Sequence, residues 1–192
     1  MIKPVKWKSR FELLTPSELQ IIHQASLQLM ERVGLIMPLS QARQEQARDL
    51  GLRVDGERIY FPPHVVEAAL RNAPRCYTLC ARNPEYDLLL DGQHGYLSLD
   101  GSGTEVLDLD SAEVRSSTKA DLQAAVRLAD ALPQIAFLWP TVSAQDCPTG
   151  VQPLHELEVL LTHSGKHAQA MTAVDPLNAA GSVELAAEVV GG

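Results

Sequence analysis

Ile135-Ala136-Phe137-Leu138-Trp139, set between two helical patterns, decides the fold of this chain. The run is apolar throughout, as expected of a strand buried on both faces. Before it, Thr118 with Asp121 caps a helix carrying Leu122, Ala125, Val126, Ala129 and Leu132, and Pro133 ends that helix. After it, a loop leads to a helix from about Gln152 to Ser164 with Leu154, Leu157, Leu160 and Leu161, stopped by Gly165. His167-Ala168-Gln169-Ala170-Met171-Thr172-Ala173-Val174 reads as a second strand, and Asp175-Pro176 opens a last helix through Val190. The succession helix, strand, helix, strand, helix marks parallel α/β architecture. The expected fold class is α/β: an incomplete (β/α)8 TIM-type barrel, its first two βα units lying within 116–192. Two strands do not make a stable parallel sheet and Gly191-Gly192 is a helix stop, so a truncated barrel is expected.

Residues 1–115 read as an α+β front section. Thr15-Pro16-Ser17-Glu18 supplies an N-cap hydroxyl, a first-turn proline and a glutamate placed to close a capping box. Leu19, Ile22, Ser26, Leu29 and Val33 then recur at helical spacing up to Gly34. A shorter helix starts at Ser40 and ends before Gly51, and Pro62-Pro63 opens a third with Val65, Val66, Ala69 and Leu70 inward. Leu52 and Val54, Asp55-Gly56, then Ile59 and Phe61 give a hairpin signal. Alternation at Tyr77, Leu79 and Ala81, a strand pair formed by 88–90 and 96–99 around Asp91-Gly92, and Val106 to Val114 complete a small antiparallel sheet.

The totals exclude several classes. The 192 residues suit one or two domains and a real core. With 45% apolar residues, disordered and fibrous classes drop out. A net charge of −8 argues against nucleic acid as a partner, because such binding rests on Lys and Arg meeting phosphates. The basic N-terminus, Lys3, Lys6, Lys8 and Arg10 around Trp7, lacks the apolar run of a signal peptide; it reads as a solvated arm or as one that packs on a neighbouring subunit. No stretch approaches the roughly 18 apolar residues of a membrane span. Three irregularly spaced cysteines, Cys76, Cys80 and Cys147, fit reduced thiols of a cytoplasmic protein better than a disulfide framework.

Local motifs for chemistry are sparse. Gly101-Ser102-Gly103 stands between two strands, and so reads as a hairpin turn or as a close-approach loop bordering a ligand. Cys76 and Cys80 lie four apart on a strand and read as buried thiols, because a zinc site would need tighter spacing and more ligands. His155, His163 and His167 fall on a helix and on the amino end of a strand, the structural end of a barrel, so no metal is assigned to them. Asp108 and Asp110 decorate a turn rather than build an oxygen-rich calcium loop. The informative loop is Trp139-Pro140-Thr141-Val142-Ser143-Ala144-Gln145-Asp146-Cys147-Pro148, which follows a barrel strand where such enzymes place substrate contacts. Trp139 is either core packing or one wall of a cation-binding aromatic site. Asp146 either caps a turn or offers charge to a cationic ligand.

Several segments taken together resemble the trimethylamine methyltransferase (MttB-type) superfamily. These are 21–34, Ala73-Pro74 with Ala81-Arg82-Asn83-Pro84, Gly101-Ser102-Gly103 with Val106-Leu107-Asp108, then 128–135 and Lys166-His167, in order along nearly the whole chain. The resemblance implies the front part of a (β/α) barrel enzyme more than twice this length. It implies transfer of a methyl group from a methylated amine, trimethylamine or a quaternary amine such as glycine betaine, to a Co(I) corrinoid. That corrinoid (cobalamin) is carried by a small partner protein, and none is expected on this chain alone. Trimethylamine-specific members carry pyrrolysine deep in the barrel, a position that would fall beyond residue 192. The substrate-binding residues implied are Gly101, Ser102, Gly103, Trp139 and Asp146, with no catalytic residue and no metal assigned.

The piece by itself is expected to be inactive, and an unpaired barrel strand points to a homo-oligomer. The competing readings are an unrelated TIM-barrel enzyme with a helical front domain, and a shortened non-catalytic paralogue that acts as a binding module.

Overall fold

The computed structural model describes residues 2–6, 12–170 and 175–191. It is a mixed α/β structure of helices and small sheets. Strand β1 (Val5–Lys6) comes first, and contacts sort the chain into two compact units, Ser9–Arg75 and Met1–Lys8 with Cys76–Gly192.

The Ser9–Arg75 unit holds α1 (Pro16–Arg32), β2 (Leu35–Ile36), α2 (Gln41–Asp49), β3 (Arg53–Asp55), β4 (Arg58–Tyr60) and α3 (Pro63–Asn72). The capping box forms as the sequence predicts: the Glu18 N–H donates to Thr15 Oγ1 and the Thr15 N–H to Glu18 Oε2 at 2.8 Å. The Thr15 N–H and the Thr15 hydroxyl, both donating to the ionised carboxylate, lower the Glu18 pKa. β3 and β4 form the expected hairpin around Gly56, and β2 joins β4 antiparallel, with Leu35 opposite Ile59. Burial departs from helical spacing on α1 and corrects the expected inward face of α3. Leu27 is the buried residue of α1, whereas Leu19, Ile22, Leu29 and Val33 are all exposed. On α3, Val65 and Val66 are half-buried, but Ala69 and Leu70 are exposed. A repeat of apolar residues shows that a helix is amphipathic; which face its own unit covers depends on neighbours distant in sequence.

The other unit adds β5 (Tyr77–Leu79), a 3-10 turn at Pro84–Tyr86, β6 (Leu88–Leu90), β7 (His94–Gly95), β8 (Leu97–Ser98), β9 (Glu105–Leu107) and β10 (Val114–Ser116). There follow α4 (Lys119–Ala131), β11 (Ile135–Leu138), α5 (Gln152–His163), β12 (His167–Ala168) and α6 (Pro176–Val190). The pattern change near residue 115 thus falls inside this unit. The expected single antiparallel sheet is instead three separate pairs: β5 with β6, β7 with β1, and β9 with β10. Residues 96–99 do not pair with 88–90. β8 lies parallel to β11 in a three-stranded parallel sheet ordered β12-β11-β8. Period-two alternation identifies a strand without naming its partner, and here the partner lies beyond a helix. Of the second predicted strand, His167–Ala168 pairs with β11, and 171–174 lie outside the described residues.

The helices over this sheet follow the predicted caps. Thr118 and Asp121 form a reciprocal capping box on α4, and Asp175 caps α6. Leu122, Val126 and Ala129 of α4, Leu138 of β11, and Val159 and Leu160 of α5 make one buried cluster. Each fully buried Leu or Val contributes about 1.5–3 kcal/mol. Gly181 lets α6 close on α5, since a Cβ there would stand 3.0 Å from Leu154 Cδ1. Among the described residues no helix is long and apolar enough to cross a membrane.

Candidate functional site

Leu138 packs between α4 and α5, so the alternation of a strand puts Phe137 and Trp139 on the opposite face of the sheet. There, at the carboxyl ends of all three parallel strands, lies a cavity of about 490 Å³. Ser98 to Gly101 line it from β8, Phe137 and Trp139 from β11, and Gln169 from β12. Ligands in open α/β sheets bind outside the carboxyl ends of strands, where the loops diverge.

The Gly101–Gly103 segment is not a hairpin turn. It runs beside residues 140–143: the Ser102 N–H donates to Pro140 O at 2.8 Å, the Gly103 N–H to Thr141 O at 3.0 Å, and the Ser143 N–H to Gly103 O at 2.8 Å. A parallel bridge joins Gly103 to Val142. Both glycines allow a close approach here. A Cβ on Gly101 would meet Trp139 Cε3 at 3.3 Å, and one on Gly103 would meet Thr141 O at 3.1 Å. Ser102 itself stands exposed at φ +68°.

The loop after Trp139 is pinned from three sides. The buried Ser117 hydroxyl donates to Ser143 O at 2.7 Å, and Gln145 Nε2 donates to Thr104 O. The buried Glu156 carboxylate of α5 accepts the Ala144 N–H and Gln152 Nε2, both at 3.0 Å. Asp146 Oδ1 accepts the Lys119 N–H at 2.7 Å, closing the first turn of α4. Gly101 and Trp139 therefore share the cavity, whereas Ser102 and Gly103, paired with residues 140–143, and Asp146, at a helix terminus, lie outside its lining. Asp100, Phe137 and Gln169 were missed from the sequence. Phe137 was within reach of the same-face rule, two residues before Trp139; Asp100 and Gln169 needed the knowledge that β8 and β12 flank β11.

The other residues singled out in the sequence lie outside the cavity lining. Cys76 and Cys80 flank β5 and are exposed, correcting the expectation of buried thiols: β5 is an edge-paired strand of three residues and covers neither. Cys147 is half-buried, and burial followed by the nearby Asp146 charge pushes its thiol pKa up. His155 Nδ1 lies 3.1 Å from Lys119 Nζ, His163 Nδ1 lies 3.1 Å from Val159 O, and His167 Nδ1 lies 2.6 Å from Cys80 O. Asp108 accepts the Asp110 and Ser111 N–H groups and the Ser111 hydroxyl, which lower its pKa.

Residues 2–192 match the trimethylamine methyltransferase (MTTB) family. The chain belongs to that family. It is 32% identical over 153 residues to trimethylamine methyltransferase MttB of Desulfitobacterium hafniense (strain DSM 10664 / DCB-2), covering 78% of this chain and 30% of that protein. It is 30% identical over 185 residues to glycine betaine methyltransferase of Desulfitobacterium hafniense (strain Y51), covering 95% of this chain and 38% of that protein. Trimethylamine methyltransferase MttB of Methanosarcina thermophila is 26% identical over 161 residues, 81% of this chain and 33% of that protein. The chain thus spans about a third of the length of these relatives.

Three segments that carry the family resemblance meet at the amino end of β12. Arg82 Nε donates to Ser164 O at 3.0 Å, and the Asn83 N–H to Gly165 O at 2.7 Å. The Ser164 hydroxyl donates to Asp130 Oδ1 at 2.6 Å. Buried Lys166 Nζ donates to Ala129 O at 2.6 Å and Leu132 O at 2.8 Å, filling the carbonyls that α4 leaves at its end. Burial lowers the Lys166 pKa, with Asp130 opposing it. In this trimethylamine methyltransferase family member those segments therefore build a structural junction, at the end of the sheet opposite the cavity.

Proposed function

We propose that the chain is the front part of a methyltransferase that moves a methyl group from a methylated amine, trimethylamine or a quaternary amine such as glycine betaine, to the Co(I) corrinoid of a partner protein. In this reading β11, β12 and their helices, within 116–192, open a (β/α)8 TIM-type barrel, and β8 is contributed from the 1–115 section. Family membership supports the methyl-transfer chemistry, and the cavity at the three strand ends, walled by Phe137 and Trp139, is the observation that carries the site.

The corrinoid supplies the nucleophile for the methyl carbon. The chain's own part is to bind and orient the amine and to strip water from it. A quaternary nitrogen leaves as a neutral amine, so holding the cation against aromatic faces in a dry site serves the reaction. Gly101, Ser102 and Gly103 keep the β8 loop against residues 139–142, and Trp139 is the wall that meets the ammonium. Asp146 acts on the same site by tying its loop to α4. Asp100 at the rim is exposed, so a methyl group held there is reachable from outside.

The test grafts this chain in place of the matching segment of the Desulfitobacterium glycine betaine methyltransferase and follows loss of Co(I) absorbance in a corrinoid protein. Transfer from a methylated amine is expected, and Trp139→Ala is expected to slow it about tenfold or more through loss of the cation–π wall. A folded chimera in which Trp139→Ala transfers at the parent rate would sink the assignment of the site.

A further inference from the structure

We propose that Asp100, with Phe137 and Trp139, forms a cation box in which the Asp100 carboxylate is the charged wall; this rests on the amine reading above and names its recognition chemistry. Asp100 is the last residue before the Gly101–Gly103 segment and lines the cavity together with both aromatic side chains and Gln169. Its Oδ1 accepts the N–H of its own neighbour Gly101 at 2.9 Å, at the carboxyl end of β8.

Four other carboxylates of this unit are already committed. Asp121 is paired with Arg115 at 2.8 Å, Glu158 with Lys119 at 2.5 Å, Glu156 holds the Ala144 N–H, and Asp146 holds the Lys119 N–H. Among the described residues Asp100 makes no ion pair. A carboxylate without a cation, lining one cavity with two aromatic residues, suits a compact alkylammonium: the charge meets the carboxylate while the methyl groups meet the rings. Gln169 enters from β12, where its N–H donates to Leu138 O at 3.0 Å, and adds a neutral polar side. A permanent cation and a neutral molecule of the same shape are therefore distinguished at Asp100.

The sequence has two tryptophans, so in a Trp7→Phe chain the fluorescence reports Trp139 alone. Tetramethylammonium is titrated against that signal, with tert-butyl alcohol, a tetrahedron of the same heavy-atom count, as the neutral isostere. A saturable change is expected with the cation, weakened about five- to thirtyfold by Asp100→Asn, restored in part by Asp100→Glu, and unaffected by Glu113→Gln on the β9–β10 turn. Phe137→Leu is expected to weaken it several-fold and Phe137→Tyr to retain it, each variant being checked for unchanged far-UV circular dichroism.

Absence of a saturable change, equal binding of the neutral isostere, or loss on Asp146→Asn but not on Asp100→Asn overturns the proposal. If Asp100→Asn leaves both binding and transfer by the chimera intact, this inference falls and the methyltransferase reading stands. If the cation binds in an Asp100-dependent way and the chimera transfers nothing, the cation box stands and the methyltransferase reading falls.

Discussion

Asp91 illustrates how much a single side chain does when the backbone turns around it. Its carboxylate accepts the Gln93 N–H at 2.8 Å and the His94 N–H at 3.0 Å and meets His94 Nδ1 at 2.9 Å, so its pKa is pushed down from 3.8 to about 2. A depressed folded-state pKa contributes stability that is present above the unfolded value and is lost as pH falls through the folded one. The difference in thermal unfolding midpoint between the parent and Asp91→Asn is therefore expected to be largest above about pH 4 and to shrink toward zero by about pH 2. Thr118→Ala removes one arm of the α4 capping box and is expected to cost about 1 kcal/mol in urea unfolding. Caps of this kind were legible in the sequence because all their atoms lie within three residues. The Lys166 cap was not legible, because its acceptors Ala129 and Leu132 come from another element.

At the scale of elements, partners decide more than patterns do. The sequence marked β8 as a strand; its parallel pairing with β11 joins segments separated by β9, β10 and α4. Gly34 shows the same dependence in the other unit. It sits at φ +70°, and a Cβ there would stand 2.5 Å from the Ile59 carbonyl oxygen of the paired β4. Gly34→Ala is expected to cost about 1–3 kcal/mol from the left-handed backbone alone. Hydrogen exchange should show faster opening at Leu35 to Ile36 and Arg58 to Tyr60. Equal protection in the two proteins would mean that β2 and β4 adapt without strain.

For the whole molecule, what is left uncovered matters. β12 and β8 are the outer strands of the described parallel sheet, and Leu19, Ile22, Leu29, Leu97 and Val183 stand at least half-exposed. Free edges and apolar side chains both favour association with further copies. The 192-residue chain is expected to sediment as a species larger than a monomer at micromolar concentration, reverting toward monomer on dilution. A single monomeric boundary across that range would show that these surfaces are tolerated in water. Such association is expected to respond weakly to salt, since the exposed surfaces concerned are mainly apolar.

The sequence by itself determined the helices, the side-chain N-caps of α1, α4 and α6, the apolar run of β11, the hairpin at Asp55-Gly56 and the family, because each is written in short-range spacing or in ordered segments. Tertiary structure alone decided that β8 completes a parallel sheet and that Gly101–Gly103 lies along residues 140–143. It also placed Asp146 on a helix terminus and Asp100 in one cavity with Phe137 and Trp139. The physical reason is that strand pairing and burial are set by which surfaces meet, and residues 98–101, 137–139 and 169 meet only after two helices have folded the chain back on itself.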